Sequence, residues 1–289
     1  MSYALSPLTT VFGPFLTYRD HERFLKPAPM SVSWLWHTAR CMVLSFVWLC
    51  VSVCVSSDIF LAPTWSKWMV AYGSALSFRS SHYFISFLSE GIATAGGLGF
   101  SQEQGHWGGL KVVGPLDVEI PRSMGVIANS WNLSMYRFLK YYVFKPSLRY
   151  LGRFGAYLMT YFVSSMLHGL NFQLAAVLLS IGVYSYIENV LRRKLSRRLS
   201  ACVLDRPCRG HCGHSRGKFN LLTLLVNLLF MGLAVFHLAY LGQMFVSDPD
   251  SQEFDYQGFS FWHTLRHWYR LDFLSHIVAG GTFLLSLLL

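Results

Sequence analysis

The stretch SSMLHGLNF, residues 164–172, places an imidazole and an amide inside the longest uncharged run of the chain. No Asp, Glu, Lys or Arg occurs between Arg153 and Glu188, yet His168 and Asn171 lie near the centre of that run. A low-dielectric environment disfavours the protonated imidazole, so a buried histidine accepts protons near neutral pH as a general base. We therefore predict that His168 is a buried base that deprotonates an alcohol. A hydrogen-bonded core histidine is the alternative that the residues alone leave open.

The same region gives no sign of an enzyme nucleophile. Ser164 and Ser165 have no carboxylate near them in the sequence, and the chain contains no G-x-S-x-G motif. An activated acyl donor such as a thioester transfers directly to an acceptor hydroxyl without such a nucleophile. An amide such as that of Asn132 orients a reacting group or stabilises a developing oxyanion.

A second set of polar residues forms a stripe in FRSSHYFISFLSEG. Arg79, His82, Ser86 and Glu90 are spaced by three, four and four residues, so on a helix they share one face. Arg79 and Glu90 would lie about 16 Å apart along that helix, so each needs a partner elsewhere. Either they line a wet cavity, or they neutralise groups on neighbouring helices. The expected substrate-cavity residues are Arg79, His82, Glu90, Ser164, Ser165 and Asn171.

Residues 129–146 have the pattern of an amphipathic helix that ends at Pro146. Apolar residues recur at helical spacing and cations lie on the other faces, which is typical of a helix in the membrane interface. Cations there would attract the phosphates of a cytosolic cofactor. The expected cofactor contacts are Trp131, Arg137, Lys140 and Tyr142.

The composition indicates the elements that must hold these groups. Hydrophobic residues make up 53% of the 289-residue chain and charged residues only 13%, which is typical of a membrane protein. The predicted fold class is an all-α, polytopic membrane helix bundle with roughly five or six crossings. The long run 154–187 exceeds a bilayer core of about 30 Å, so it is tilted, extends beyond the bilayer or breaks near Gly169. The candidate spans are 34–55, 154–187, 219–246, 271–289 and the more polar 68–100.

Charge is concentrated in residues 192–218, where nine Lys and Arg stand against Asp205, a net +8. The positive-inside rule predicts a basic cytosolic loop, able to contact anionic headgroups or cofactor phosphates. Nucleic-acid binding is disfavoured because no aromatic residue is interleaved with the charges.

The same segment contains three cysteines, Cys202, Cys208 and Cys212, beside His211 and His214. Zinc binding is conceivable, but the spacing C-x5-C-x3-C-x-H matches none of the strong zinc patterns. S-acylation of one of these thiols is as plausible. We expect no metal site.

The blocks SWNLSMYRFLKYYVFK and SSMLHGLNF, in which His168 follows Asn132 by 36 residues, resemble the membrane-bound O-acyltransferases. FRSSHYFISFLSEG, LDVEIPRSM and LAVFHLAYLGQMF extend the resemblance to the members of that family that lipidate Wnt proteins. The resemblance implies a multi-pass enzyme of the endoplasmic reticulum that transfers palmitoleate from palmitoleoyl-CoA to a serine of Wnt proteins. It implies His168 as the catalytic histidine and Asn132 as its partner. Palmitoleoyl-CoA is the acyl-donor substrate, with no permanently bound cofactor.

The implied partners are Wnt proteins, fatty acyl-CoA and membrane lipids, without nucleic acid. We expect one membrane domain over 1–289, lacking the N-terminal spans of the family, with the basic loop 192–218 inside it. A truncated, non-catalytic membrane scaffold and an acyltransferase for another peptide or a lipid remain alternative hypotheses. A transporter is disfavoured because no inverted repeat is visible.

Overall fold

The computed structural model of the chain is almost entirely helical. It describes residues 14, 16–24, 26, 30–55, 66–103, 105–169, 171–208, 213–245 and 261–289. The described helices, in chain order, are α1 (Tyr18–Phe24), α2 (Val32–Cys50), α3 (Lys67–Ala95), α4 (Pro115–Glu119), α5 (Met124–Trp131), α6 (Leu133–Leu139), α7 (Lys145–Leu167), α8 (Phe172–Leu199), α9 (Leu221–Gly242), α10 (Phe261–Arg270) and α11 (Leu274–Leu288). Two short strands, β1 (Phe100–Ser101) and β2 (His106–Trp107), pair antiparallel. The predicted all-α fold class is confirmed.

Three described helical segments are long and apolar enough to cross a membrane, namely Val32–Cys54, Phe172–Leu199 and Leu221–Phe245. Helices α10 and α11 are bent by 78° and count as a fourth if the pair forms one broken span. Among the described residues this is fewer than the five or six crossings predicted. Helix α3 has the length of a span, but it is not among the described segments that meet both the length and the apolar composition of a membrane crossing.

The long apolar run breaks, as one of the sequence predictions required. Helix α7 ends at Leu167 and α8 begins at Phe172, so residues 154–187 do not form one helix. Gly169 has φ +87°, in the left-handed region that glycine enters without steric cost. Asn171 then caps α8, because its side chain accepts a hydrogen bond from the backbone N–H of Leu174.

Helices α7 and α8 fold back on each other after this break, and one glycine sets how closely they approach. A Cβ atom on Gly182 of α8 would lie 2.6 Å from Cδ2 of Tyr161 on α7. Only a residue without a side chain therefore fits against that ring. Helix α7 also changes direction at Gly152, where φ is 64° and ψ is −174°.

The amphipathic segment is not the single helix that the sequence predicted. It contains α5, a break at Asn132, α6 and a π-helical turn at Lys140–Phe144 that runs directly into α7. Pro146 does not end a helix but lies in the first turn of α7. Proline is tolerated in a first turn because its missing N–H would have no intrahelical partner there.

The basic segment is also only partly a loop. Helix α8 continues to Leu199, so residues 192–199 are helical and the connection to α9 begins at Ser200. Arg192 is fully buried and makes an ion pair with Glu188 one turn earlier. The boundary of the predicted loop was therefore wrong, because the run of basic residues includes the end of a packed helix.

The core next to the candidate site is formed where α2, α3 and α9 pack around the 110–131 region. Its buried members include Tyr83, Phe87, Val113, Val118 and Ile127. This packing holds α4 and α5 against α3, so the polar stripe of α3 faces the segment that leads to Asn132.

Candidate active site

Asn132 lies at the junction of α5 and α6, where the chain is extended with φ −145° and ψ 97°. Its Oδ1 atom accepts a hydrogen bond from the Met135 backbone N–H at 2.9 Å, and so caps α6. The next residue, Leu133, donates its N–H to the Val112 carbonyl at 2.7 Å. The junction is thus held on both sides. Because Oδ1 serves the cap, the Nδ2 amide is the group that would donate to a substrate.

The residue before Asn132 is fixed by a histidine from the stripe of α3. The rings of Trp131 and His82 are stacked, with centroids 4.4 Å apart and planes 1° from parallel. The Nε2 atom of His82 lies 2.8 Å from the Trp131 carbonyl oxygen. A carbonyl only accepts, so Nε2 carries the proton and donates. His82 therefore acts on the Asn132 junction through the backbone of its neighbour.

Deeper in the same stripe, Arg79 has the partner that the sequence required. Its Nε donates to Glu119 Oε1 at 2.8 Å and its Nη2 to Oε2 at 2.9 Å, a bidentate pair. The Tyr83 hydroxyl donates to the same Oε1 at 2.7 Å. Arg79 is 2% exposed, so this pair neutralises a buried charge rather than lining an open cavity. Glu119 is the last residue of α4, so the pair ties that helix to α3.

Glu90, at the other end of the stripe, is paired in the same manner. It is 4% exposed, and its Oε1 lies 3.1 Å from Nε2 of His37 on α2. The polar stripe was predicted either to line a wet cavity or to neutralise groups on neighbouring helices. Arg79 and Glu90 fit the second interpretation, because each is paired with a residue of another helix.

His168 follows the last residue of α7, and its backbone N–H donates to the Ser165 carbonyl at 3.2 Å. Its side chain is exposed in the part of the chain that the structure describes, whereas the sequence predicted a buried imidazole. The difference arises because the helix ends here, so the residue follows a last turn rather than lying on the flank of a continuous helix. Ser164 and Ser165 are buried, and Ser165 donates to the Phe162 carbonyl at 2.7 Å.

The predicted catalytic residues therefore lie at two different junctions between helices. Asn132, Trp131 and His82 lie together at the α5–α6 junction. His168 and Asn171 lie on either side of Gly169, at the α7–α8 break. Among the described residues, no hydrogen bond or ring contact joins the two groups.

The residues predicted to bind the cofactor do not form one cluster in the structure. The Lys140 ammonium lies 5.3 Å from the centre of the Tyr136 ring. Tyr142 is exposed and its ring lies 5.2 Å from that of Phe138, while Arg137 is exposed one turn earlier. These side chains form the outer surface of the α6 region, not a contact with Trp131.

A buried polar network that was not predicted from the sequence anchors the start of α5. Arg192 donates from Nε to Glu188 Oε1 at 2.6 Å and from Nη1 to the Val203 carbonyl at 2.9 Å. The other carboxylate oxygen of Glu188 accepts from the Met124 backbone N–H at 2.8 Å. The i, i+4 spacing of Glu188 and Arg192 is typical of a helical ion pair and was the signal that could have indicated it.

Arg122 extends this network to the connection after α8. Its Nη2 donates to the Cys202 carbonyl at 2.7 Å and its Nε to the Leu204 carbonyl at 3.0 Å. Desolvation lowers the pKa of the Arg122 guanidinium, while the neighbouring cysteines and Asp205 act in the opposite direction. The start of α5, and with it the Asn132 junction, is therefore tied to the segment that follows α8.

Two groups of described side chains have the composition and proximity of metal ligands. One is Cys202, Cys208 and His214, and the other is His37, Cys41 and Glu90. In each group the ligand atoms lie within 4.8 Å of one another.

Comparison with known proteins identifies the family. The model of the membrane-bound O-acyltransferase family matches residues 1–198, a range that contains Asn132 and His168. The chain belongs to the membrane-bound O-acyltransferase family. The resemblance inferred from the sequence blocks is thereby confirmed.

Similar proteins named protein-serine O-palmitoleoyltransferase porcupine occur in several animals. The Homo sapiens protein is 42% identical over 97% of this chain and 64% of its own length. The Mus musculus protein is 41% identical over the same shares, and the Drosophila melanogaster protein is 35% identical over 99% of this chain and 57% of its own length. The chain thus spans somewhat less than two thirds of the length of these relatives.

Proposed function

We propose that this chain is a protein-serine O-acyltransferase that transfers palmitoleate from palmitoleoyl-CoA to a serine of Wnt proteins. The observation that carries the proposal is the 42% identity, over 97% of the chain, to a human protein named for serine palmitoleoylation. The acyl-CoA donor follows from the acyltransferase family, and the Wnt acceptor follows from the resemblance of the sequence blocks to Wnt-lipidating members.

His168 and Asn132 are the proposed catalytic residues. The imidazole of His168 takes the proton of the acceptor serine hydroxyl while the serine oxygen attacks the thioester carbonyl carbon. The Nδ2 amide of Asn132 donates to the resulting oxyanion. The intermediate then loses the CoA thiolate as the C–S bond breaks, and the imidazolium returns the proton to that sulfur. The products are the serine ester and free CoA.

The geometry of both residues is compatible with these roles. The cap that holds Oδ1 of Asn132 directs the carbonyl end of the amide into the protein and leaves the donor end for a ligand. The exposure of His168 at a helix break gives a substrate access to the ring. With both substrates bound, the two residues would lie on the two sides of the reacting carbonyl.

We further propose that the reaction occurs in the membrane of the endoplasmic reticulum, with CoA bound from the cytosol. The cations Arg137 and Lys140 on the α6 region, and the basic residues 193–218 after the buried Arg192, would attract the CoA phosphates. Trp131 and Tyr142 remain candidate contacts for the acyl-CoA. Ser164, Ser165 and Asn171 remain candidate residues of the substrate cavity.

The test is acyl transfer by membranes that contain the chain, its His168→Ala variant or its His106→Ala variant. His106 is an exposed histidine on β2 and serves as the matched control. Loss of a general base lowers the rate by about 10² to 10⁴. We expect that loss for His168→Ala, a smaller one for Asn132→Ala, and none for His106→Ala. Equal rates for the two histidine variants would contradict the assignment.

A second candidate substrate is a lysophospholipid. The Arabidopsis thaliana protein named lysophospholipid acyltransferase 2 is 30% identical over 38% of this chain. The same membranes should therefore be supplied with a lysophospholipid and the peptide in separate reactions. Transfer to the lipid alone would favour this second function over acylation of a protein.

A further inference from the structure

The cluster of cysteines and histidine between α8 and α9 has the geometry of a metal site. The Nδ1 atom of His214 lies 3.8 Å from Sγ of Cys202 and 3.6 Å from Sγ of Cys208. All three ligand atoms lie within 4.8 Å of one another. Tetrahedral zinc with Zn–S near 2.3 Å and Zn–N near 2.0 Å places sulfur about 3.5 Å from nitrogen. The observed separations match that spacing.

Hydrogen bonds between thiols and imidazole explain the cluster less well. The other ring nitrogen of His214, Nε2, lies 3.0 Å from Oγ of Ser196. That hydroxyl donates to the Ala201 carbonyl at 2.8 Å, so it accepts from Nε2–H. A neutral ring that carries its proton on Nε2 has one lone pair, on Nδ1. That lone pair accepts a good hydrogen bond from one thiol but not from two at the same time. A cation between the three atoms satisfies both sulfurs and the nitrogen together.

The contact with Ser196 is also the kind that supports a metal-bound histidine. Ligating imidazoles donate their second N–H to an oxygen, which fixes the tautomer and the direction of the ring. Ser196 is buried and lies in the last turns of α8, on a rigid element.

Backbone hydrogen bonds join the two ends of the connection between α8 and α9. The Cys202 N–H donates to the Arg216 carbonyl at 3.1 Å, and the Arg216 N–H donates to the Ser200 carbonyl at 2.9 Å. The Cys202 carbonyl in turn accepts from Arg122. The two ends of the connection are thus already brought together, and the segment carrying Arg122 is attached to them.

We propose that Cys202, Cys208 and His214 bind one Zn²⁺ ion that fastens the end of α8 to the start of α9. On binding, the two thiols release their protons to solvent and coordinate as thiolates, and the imidazole coordinates through the Nδ1 lone pair. Water or a group outside these three takes the fourth position. The spacing of these residues along the chain matches no strong zinc pattern, so from the sequence no metal was expected. The distances between the three ligand atoms and the contact of His214 with Ser196 are visible only in the structure.

The primary experiment measures zinc per chain by mass spectrometry of the full chain, purified in detergent without a metal-affinity column. We expect about one zinc per chain, and less than about a tenth of that in Cys208→Ser and His214→Ala. Cys50→Ser, at the end of α2 and outside both ligand groups, should keep the full content. A zinc-free wild-type chain that also fails to retain zinc after incubation and removal of excess would overturn the proposal. Acylated Cys208 in the zinc-free chain would overturn it as well.

A second experiment uses Ser196→Ala, which keeps all three ligands and removes only the oxygen that orients His214. Loss of such a partner lowers metal affinity by about 10- to 100-fold. Competition with a chromophoric zinc chelator measures this shift, and the elution profile of the variant reports its folding. Unchanged zinc affinity in a folded Ser196→Ala chain would contradict the role given to this contact. Chelation should also expose Cys208 to a maleimide in the wild-type chain.

Discussion

Replacing Glu119 by glutamine tests whether the pair with Arg79 holds α4 and the Asn132 junction against α3. The substitution keeps the size of the side chain but removes the charge that compensates a guanidinium only 2% exposed. Breaking a buried pair by removing one partner costs about 3–5 kcal/mol. Because the Glu119 side chain is 19% exposed, water relieves part of that cost, and we expect the lower end, about 3 kcal/mol.

The expected change in melting temperature follows from the size of the chain. At about 2.1 cal/mol/K per residue, unfolding changes the entropy of the 289-residue chain by about 0.6 kcal/mol/K. A loss of about 3 kcal/mol therefore lowers the midpoint by about 5 °C. The assay is thermal unfolding in detergent, monitored as the loss of the monodisperse peak in size-exclusion chromatography. Glu103→Gln, at an exposed position after β1, is the matched control.

A double variant separates the loss of the pair from other effects of the substitution. If the cost comes from an unpaired Arg79, then Arg79→Met in the Glu119→Gln background removes that charge and recovers most of the lost stability. A midpoint for Glu119→Gln within 1 °C of the Glu103→Gln control would refute the reasoning. Failure of the double variant to recover would contradict the assignment of the cost to the unpaired charge of Arg79.

Three further predictions concern the helix junctions. Gly182→Ala should destabilise the α7–α8 contact by about 1–3 kcal/mol in the same thermal assay, and Tyr161→Ala in the same chain should relieve it. A loss unchanged by the second substitution would contradict the proposed clash. Gly169→Ala should lower the free energy of unfolding by about 1 kcal/mol in that assay, because a side chain is strained at φ +87°. Gly232→Ala is the control and should not lower it, because a Cβ atom at Gly232 would meet open space. Asn132→Asp keeps the oxygen that caps α6 but removes the amide donor. The melting temperature should therefore stay the same while the rate of acyl transfer falls. An unchanged rate would show that Asn132 only caps the helix.

The sequence predicted local features well where one residue determines them. A break near Gly169 was one of three alternatives for the long apolar run, which exceeds a bilayer as a single helix, and it is the alternative that the structure shows. The spacing of Arg79 and Glu90 showed that each needed an outside partner, and each has one. Those partners, Glu119 and His37, are determined by tertiary packing between helices far apart in sequence, and no local pattern identifies them.

The errors have similar physical causes. The sequence pattern predicts a helix end at Pro146, but a proline in a first turn loses no hydrogen bond. Which turn Pro146 occupies depends on the π-helical turn before it. Arg192 was placed in a loop because a run of basic residues is usually solvated, yet its pair with Glu188 allows it to be buried. The burial of His168 was predicted from the absence of charged residues around it, whereas in the structure the side chain is exposed after the last turn of α7.

The most direct test of the proposed activity is mass spectrometry of a Wnt-derived serine peptide after incubation with palmitoleoyl-CoA and membranes containing the chain. The account predicts one palmitoleoyl group esterified to the peptide serine, with product lowered by about 10² or more in His168→Ala and unchanged in His106→Ala. No acylated peptide from the wild-type chain, or equal product from the His168→Ala variant, would contradict it.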